Sequence, residues 1–269
     1  MPEAVCPNRM ELISPTEFAK QKVQSVQDYT LLAAQAIGNL FRKPLYVADM
    51  AQQADVIGVG SLPIVLSACF FTGAALALNS ASTLSRFGAL AVTGQLVSVG
   101  IIRELGPVLS GLVVAGRNAS GMASELGSMV VTEQIDAMRA LGTDPVKKLV
   151  TPRVISTVVM VFFLTILGDF LGLVGGSFVA SGLLGLDFRE YWTYAWQTLA
   201  ALDVTMGLVK PVVFGFLVAT VGCYYGLSAK GGTQGVGRAT TEAVVAGMIL
   251  IIIVDVILTR FVLLLWGGV

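Results

Sequence analysis

Four ionisable side chains stand inside long apolar runs: Arg103 and Glu104 side by side, Lys210 just before Pro211, and Asp255. A lone charge in bilayer hydrocarbon is costly, so charges there pair or face a polar cavity. Two cations and two anions balance, which makes a mutual network across three segments physically reasonable. Three roles remain open for it: structural ion pairs that fix helix register, the polar floor or gate of a transport cavity, or a proton path through Glu104 and Asp255. The last requires desolvation to move the carboxyls into a titratable range. Asp255 is the expected first partner of Lys210 and Glu104 the second. Arg103 and Glu104 point about 100° apart on a helix and are not expected to pair face to face. Asp169, alone in its own run, is a fifth candidate.

A second cluster lies in the polar segment Thr132–Gly142, TEQIDAMRALG. Thr132 is the expected N-cap, Glu133 and Asp136 suit the positive end of a helix dipole, Gly142 suits the C-terminal cap, and Pro145 stops continuation. Ile135, Met138 and Leu141 recur every third residue on one face, bordered by Glu133, Asp136 and Arg139. The pattern predicts a short amphipathic helix. It reads as a docking helix for a soluble partner, with an ordinary surface helix as the alternative. The glycine-rich KGGTQGVGR at 230–238 lacks the Gly-Lys-Ser/Thr ending of a phosphate-binding loop and follows no strand, so it reads as a tight interhelical loop.

Other chemistries find no residues to carry them. The chain contains no histidine, which removes histidine catalysis and metal ligation. Cys6, Cys69 and Cys223 have no metal-site spacing, and two of them sit in apolar runs. No catalytic set, metal site or bound cofactor is expected. A net charge of zero gives no reason to expect nucleic acid.

The elements that must position these charges are membrane spans. Of 269 residues 55% are hydrophobic and only 13% charged, against about a quarter charged in soluble domains. Runs long enough to cross a bilayer predict an all-α membrane protein with about five spans, near Val59–Ala81, Val92–Met129, Val154–Leu184, Val204–Leu227 and Ala243–Trp266. Residues 1–15 read as a loose tail without a cleavable signal peptide, and 16–44 as an amphipathic helix on the membrane surface. Its Phe18, Val23, Val26, Leu31, Leu32 and Leu40 are interleaved with Lys20, Lys22, Gln24 and Asp28, and Arg42, Lys43 and Pro44 follow. Residues 45–269 form the transmembrane domain. Lys and Arg concentrate in alternate connections, predicting a cytoplasmic N-terminus and an outside C-terminus, with the aromatic cluster Tyr191–Trp196 at the outer interface. In the second span Gly111, Ala115, Ala119, Ala123 and Gly127 recur every fourth residue, with Gly116, Ser120, Ser124 and Ser128 beside them. Small residues at this spacing let another helix approach closely. Whether that helix belongs to the same chain or to a second copy is open at this stage.

Several segments in order resemble the MlaE/YrbE family of ABC-transporter permeases: GQLVSVGIIRELGP ending at Pro107, Ala115-Gly-Arg117, Glu125-Leu-Gly, Thr132-Glu-Gln-Ile-Asp136, Pro152-Arg153, Leu208-Val-Lys210 and GVGRATT at 235–241. The likeness covers roughly residues 40–266. It implies a homodimeric permease of a bacterial inner membrane, moving phospholipid or another hydrophobic lipid between that membrane and the outer envelope. It also implies a separate cytoplasmic ABC ATPase that binds ATP and Mg, often a STAS-domain protein, and a periplasmic MCE-domain lipid-binding protein. By the same likeness 133–141 is the coupling helix seated in the ATPase. Arg103, Glu104, Lys210 and Asp255 are then expected to meet near the bilayer midplane at the base of a lipid cavity. From the residues alone, an ion- or proton-conducting subunit and a non-transporting membrane scaffold remain as alternatives.

Overall fold

The computed structural model describes residues 15–40 and 46–265. The expected tail, with Cys6 and Arg9, lies outside the described residues, as do Arg42, Lys43, Pro44 and Trp266 and the side chains of Phe18 and Lys22. The described chain is helical, and five helices are long and apolar enough to cross a membrane: Val47–Phe87, Leu90–Val131, Val146–Gly182, Ala201–Leu227 and Gly232–Leu264. They are called spans one to five.

The spans are longer than the charge-free runs, because a helix continues wherever its backbone bonds are made, past the residues that need hydrocarbon. Span five shows this best. It begins at Gly232 rather than Ala243, so the glycine-rich 230–238 segment is mostly its first turns and not a loop. The reversal is confined to Ser228–Gly231, with Gly231 and Gly232 at positive φ.

Three further helices decorate the two ends of the bundle. The surface helix Pro15–Leu40 lies against spans three and four, with Ala36 buried and Val23, Val26, Leu31 and Ile37 exposed. Its Tyr29 hydroxyl is 3.0 Å from Thr220 Oγ1. Burial raises the Tyr29 pKa, with the Thr220 bond pulling the other way, so the phenol stays protonated. At the same end, the loop helix Gln134–Ala140 joins spans two and three. The opposite end carries the aromatic helix Phe188–Gln197, capped by Asp187 Oδ1 on the Arg189 and Glu190 amides at 2.7 and 3.3 Å. Its Tyr191 is buried and donates to Leu173 O at 3.3 Å.

Glycine permits the closest helix approaches. Spans one and three touch backbone to backbone: a Cβ on Gly73 would lie 1.9 Å from Gly172 O. The small-residue row of span two meets its own chain. Ala119 and Ala123 lie under Gly222 and Gly226 of span four, Gly111 against Phe214 and Ile251, and Gly127 against Ala229 and Val236. Ala115, Ala119 and Ala123 are fully buried. Span two is therefore the axial helix, and the row serves packing within the protomer. Span five, by contrast, leaves Ile249, Ile252, Ile253, Val256, Ile257, Phe261 and Leu264 exposed.

Candidate functional site

Span two is not a regular α-helix. It widens into π turns at Ile101–Leu105 and Ala115–Ala119, and span three opens on another at Val146–Val150. A π turn inserts one residue, rotates the following side chains, and frees local backbone groups; such turns recur at functional sites. Each of these three carries cations: Arg103, then Arg117, then Lys147 and Lys148.

The first π turn delivers Glu104 to Lys210 of span four. The lysine is 2% exposed and bonds Glu104 Oε2 while standing 2.7 Å from Asp255 Oδ1 of span five. Lys210 thus joins both candidate acids instead of choosing one. Thr259 Oγ1 donates to Glu104 Oε1 at 3.3 Å. Arg103 turns away toward Asp203, 3.5 Å from its Oδ1, and touches Glu104 only at 4.0 Å. Asp203 also accepts from the Ala200 amide at 3.1 Å, so one carboxylate starts span four and holds Arg103. The order is then Asp203, Arg103, Glu104, Lys210, Asp255, three anions against two cations, with Glu104 35% exposed at the centre.

Lys210 is the tenth residue of span four, which at 1.5 Å per residue lies about 15 Å in from the aromatic-helix end. Asp203 stands in the first turn. The chain of charges runs inward from that end to Lys210, a depth of about half a ~30 Å hydrocarbon core. Asp169 does not join it. Its Oδ1 is buried without a hydrogen-bond partner, facing Gly106, where a Cβ would lie 1.6 Å away. Asp169 also borders an apolar cavity of about 260 Å³ lined by Ile102, Phe170, Trp196, Gly207 and Leu208.

At the loop-helix end the expected caps are partly reassigned. Thr132 is not the N-cap of the loop helix: its hydroxyl bonds Ser128 O at 2.8 Å and closes span two. Glu133 takes the N-cap position at φ 60°, the one non-glycine residue at positive φ among the described residues. Gly142 ends the helix at φ 75°, its amide bonding Arg139 O at 3.0 Å and that of Thr143 bonding Met138 O at 3.0 Å. That is a Schellman closure. Pro145 begins span three, after the Asp144 side chain has accepted from the Val146 amide at 2.9 Å. The apolar face is divided. Ile135 is 2% exposed and pins the helix to the bundle, Met138 is half-buried, and Leu141 is 83% exposed. Asp136 and Arg139 pair at 3.0 Å on the open side.

Sequence reasoning passed over four residues that the structure brings into play. Asp203 fell just outside the expected fourth span. Arg117 and Glu125 lay within the second but served only as motif letters. Thr259 carries no charge to notice. Glu125 pairs with Arg153 at 2.8 Å, and Lys148 with Asp49 of span one at 2.5 Å. Arg117 donates from Nη1 to Val56 O at 3.0 Å and Ser61 Oγ at 3.1 Å.

The profile of the family described as Permease MlaE matches residues 50–261, which takes in all five spans and both clusters. The chain belongs to the MlaE permease family. A probable ABC transporter permease protein of Rickettsia conorii is 45% identical over 239 residues, covering 88% of this chain and 92% of its own. The intermembrane phospholipid transport system permease protein MlaE of Haemophilus influenzae is 33% identical over 211 residues, 78% of this chain and 81% of its own. The chloroplastic TRIGALACTOSYLDIACYLGLYCEROL 1 protein of Arabidopsis thaliana is 32% identical over 231 residues, 86% of this chain and 66% of its own. Within an MlaE permease, the charged chain and the loop helix fall at opposite ends of the bundle.

Proposed function

We propose that this chain is the membrane-spanning subunit of an ABC transporter that moves phospholipid or a related lipid, with ATP hydrolysed by a separate cytoplasmic subunit. The observation that carries the reading is the Glu104–Lys210–Asp255 network, a polar seam entering a bundle of apolar spans from one end. Such a seam can receive a polar, zwitterionic headgroup while acyl chains lie on the surrounding aliphatic surface. The Haemophilus influenzae relative, named as a phospholipid transport permease, supports the same cargo.

The loop-helix end is then cytoplasmic. Its exposed Leu141 and half-buried Met138 dock in the ATPase, while Ile135 transmits that contact to the bundle. The N-terminus lies on the same side, the C-terminus and the aromatic helix lie in the periplasm of a bacterial inner membrane, and the surface helix lies in the cytoplasmic interface. The exposed aliphatic face of span five meets a second copy, giving a homodimer. An MCE-domain protein receives lipid at the periplasmic end, and a STAS-domain protein accompanies the ATPase.

Copurification followed by reconstitution tests this. The chain is expected to bring down an ABC ATPase, to yield phospholipid on organic extraction, and to move labelled phospholipid between vesicle and acceptor only with ATP. Proton flux without ATP would place it instead among conducting subunits. A chain that binds partners yet moves nothing would be a scaffold.

A further inference from the structure

Arg117 is a span cation that the paired charges leave out, and it lies farther from a span end than any other such cation among the described residues. It sits in the second π turn of span two, exposed, with no carboxylate within ion-pair distance among the described residues. Lys210, Arg103, Arg153 and Lys148 each have one. Arg86, Arg238 and Arg260 lack one too among the described residues, but each lies within six residues of an end of its span. Arg117 lies fourteen residues from Val131, the nearer end of its span.

Its side chain is nevertheless held. Three bonds fix it, to Val56 O, Ser61 Oγ and Asn118 Oδ1, and all three come from Nη1. The buried Asn118 also donates to Ser61. Gly60 supplies the space: a Cβ there would stand 2.2 to 2.6 Å from the guanidinium. Span one is notched for this arginine, and the guanidinium is oriented without being neutralised. Its remaining donors, on Nη2 and Nε, form the planar edge that matches two oxygens of a phosphate.

The surroundings select the ligand. Val56 opens the charge-free stretch of span one, directly after Asp55, so Arg117 lies level with the change from polar to apolar sequence. The abundant anion at such a boundary is the phosphodiester of a membrane lipid. Below Arg117, the same face of span two continues through Gly121, Ser124 and Ser128, open and small, with nothing within 4 Å of a Cβ built on Gly121. Large side chains would block a headgroup there; these do not.

We propose that Arg117, oriented by Gly60, Ser61 and Asn118, anchors the phosphate of a glycerophospholipid at the loop-helix end of the bundle, separate from the Lys210 network. The proposal rests on the lipid-permease reading and adds to it a second headgroup site, on the cytoplasmic side. Photo-crosslinking tests it, using the full-length protein in nanodiscs with a phosphatidylglycerol bearing a headgroup-proximal diazirine. Adducts are mapped by mass spectrometry. The expected result is labelling on peptides containing residues 53–60 and 117–128. It should fall at least fivefold in R117Q, fall less in R117K, which keeps the charge but loses the planar fork, and fall in G60A, where the arginine is retained but displaced. A diacylglycerol probe with the same diazirine should not label these peptides, and millimolar inorganic phosphate should not compete. Undiminished labelling in R117Q and G60A, equal labelling by diacylglycerol, or displacement by free phosphate would overturn the site. So would loss of the homodimer in R117Q, which would identify the partner as a carboxylate of a second copy. ATP-driven lipid transfer is measured on the same preparations: Arg117-dependent labelling without transfer sustains the site and defeats the transport reading.

Discussion

The two ends of the bundle handle charge in opposite ways. At the aromatic-helix end a nearly inaccessible Lys210 is shared by two carboxylates from different spans, and each partner depends on the others. At the loop-helix end the pairs are separate and each has a wet member: Glu125 is 53% exposed beside Arg153, and Lys148 and Asp49 are both more than a third exposed. A buried ion must find a counter-ion or unfold its surroundings, whereas an exposed pair exchanges one set of water contacts for another. The first end is therefore built to hold a defined polar arrangement inside the membrane. The second keeps its pairs adjustable at the end where the proposed ATPase would dock.

The sharpest way to break this contrast is Lys210→Ala. It strands Glu104 and Asp255 together, and the expected loss is about 3–5 kcal/mol of stability, read as a collapsed monodisperse peak or a large fall in unfolding temperature in detergent. A neutral triple variant, Lys210→Met with Glu104→Gln and Asp255→Asn, should recover most of that stability and none of the transport. A smaller effect is expected between the two ends, where Ala119→Leu forces span two away from Gly222 and should cost about 1–3 kcal/mol. Wild-type unfolding of this variant would show that the row is not a packing contact. Asp49→Ala, at the loop-helix end, should change the unfolding temperature little, corresponding to less than about 1 kcal/mol. Smallest of all for the fold is Leu141→Asp, which should leave stability untouched and abolish ATPase copurification. Met138→Asp should do the same with a modest stability loss. Retention of the ATPase by both would remove the docking role.

Much of this architecture was legible in the sequence, and the reason differs by region. Five spans follow from uncharged runs, because hydrocarbon thickness imposes a length on any apolar helix. The meeting of Lys210 with Glu104 and Asp255 was readable because so few charges occupy those runs that balance alone restricts the partners. What escaped was local. Asp203 and Arg117 lay at a span edge or inside a motif, where sequence does not reveal whether a charge faces water or protein. The π turns carry no sequence signature, so the widening of span two was invisible, although the divergence of Arg103 from Glu104 was expected from helix geometry. Thr132 and Glu133 exchanged capping roles because threonine could close the preceding helix as readily as open the next. The small-residue row announced close packing but not its partner; glycines at 222 and 226 supplied that only once the helices were placed.

The account stands most directly on whether Lys210 and its two acids act as one unit. A double-mutant cycle on Lys210→Met and Asp255→Asn, read by unfolding in detergent and by ATP-driven lipid transfer, measures it. The predicted result is a double variant more stable than the sum of the singles implies, by at least about 1 kcal/mol, with transport lost in all three. Strict additivity in stability, with transport intact in either single variant, would contradict it.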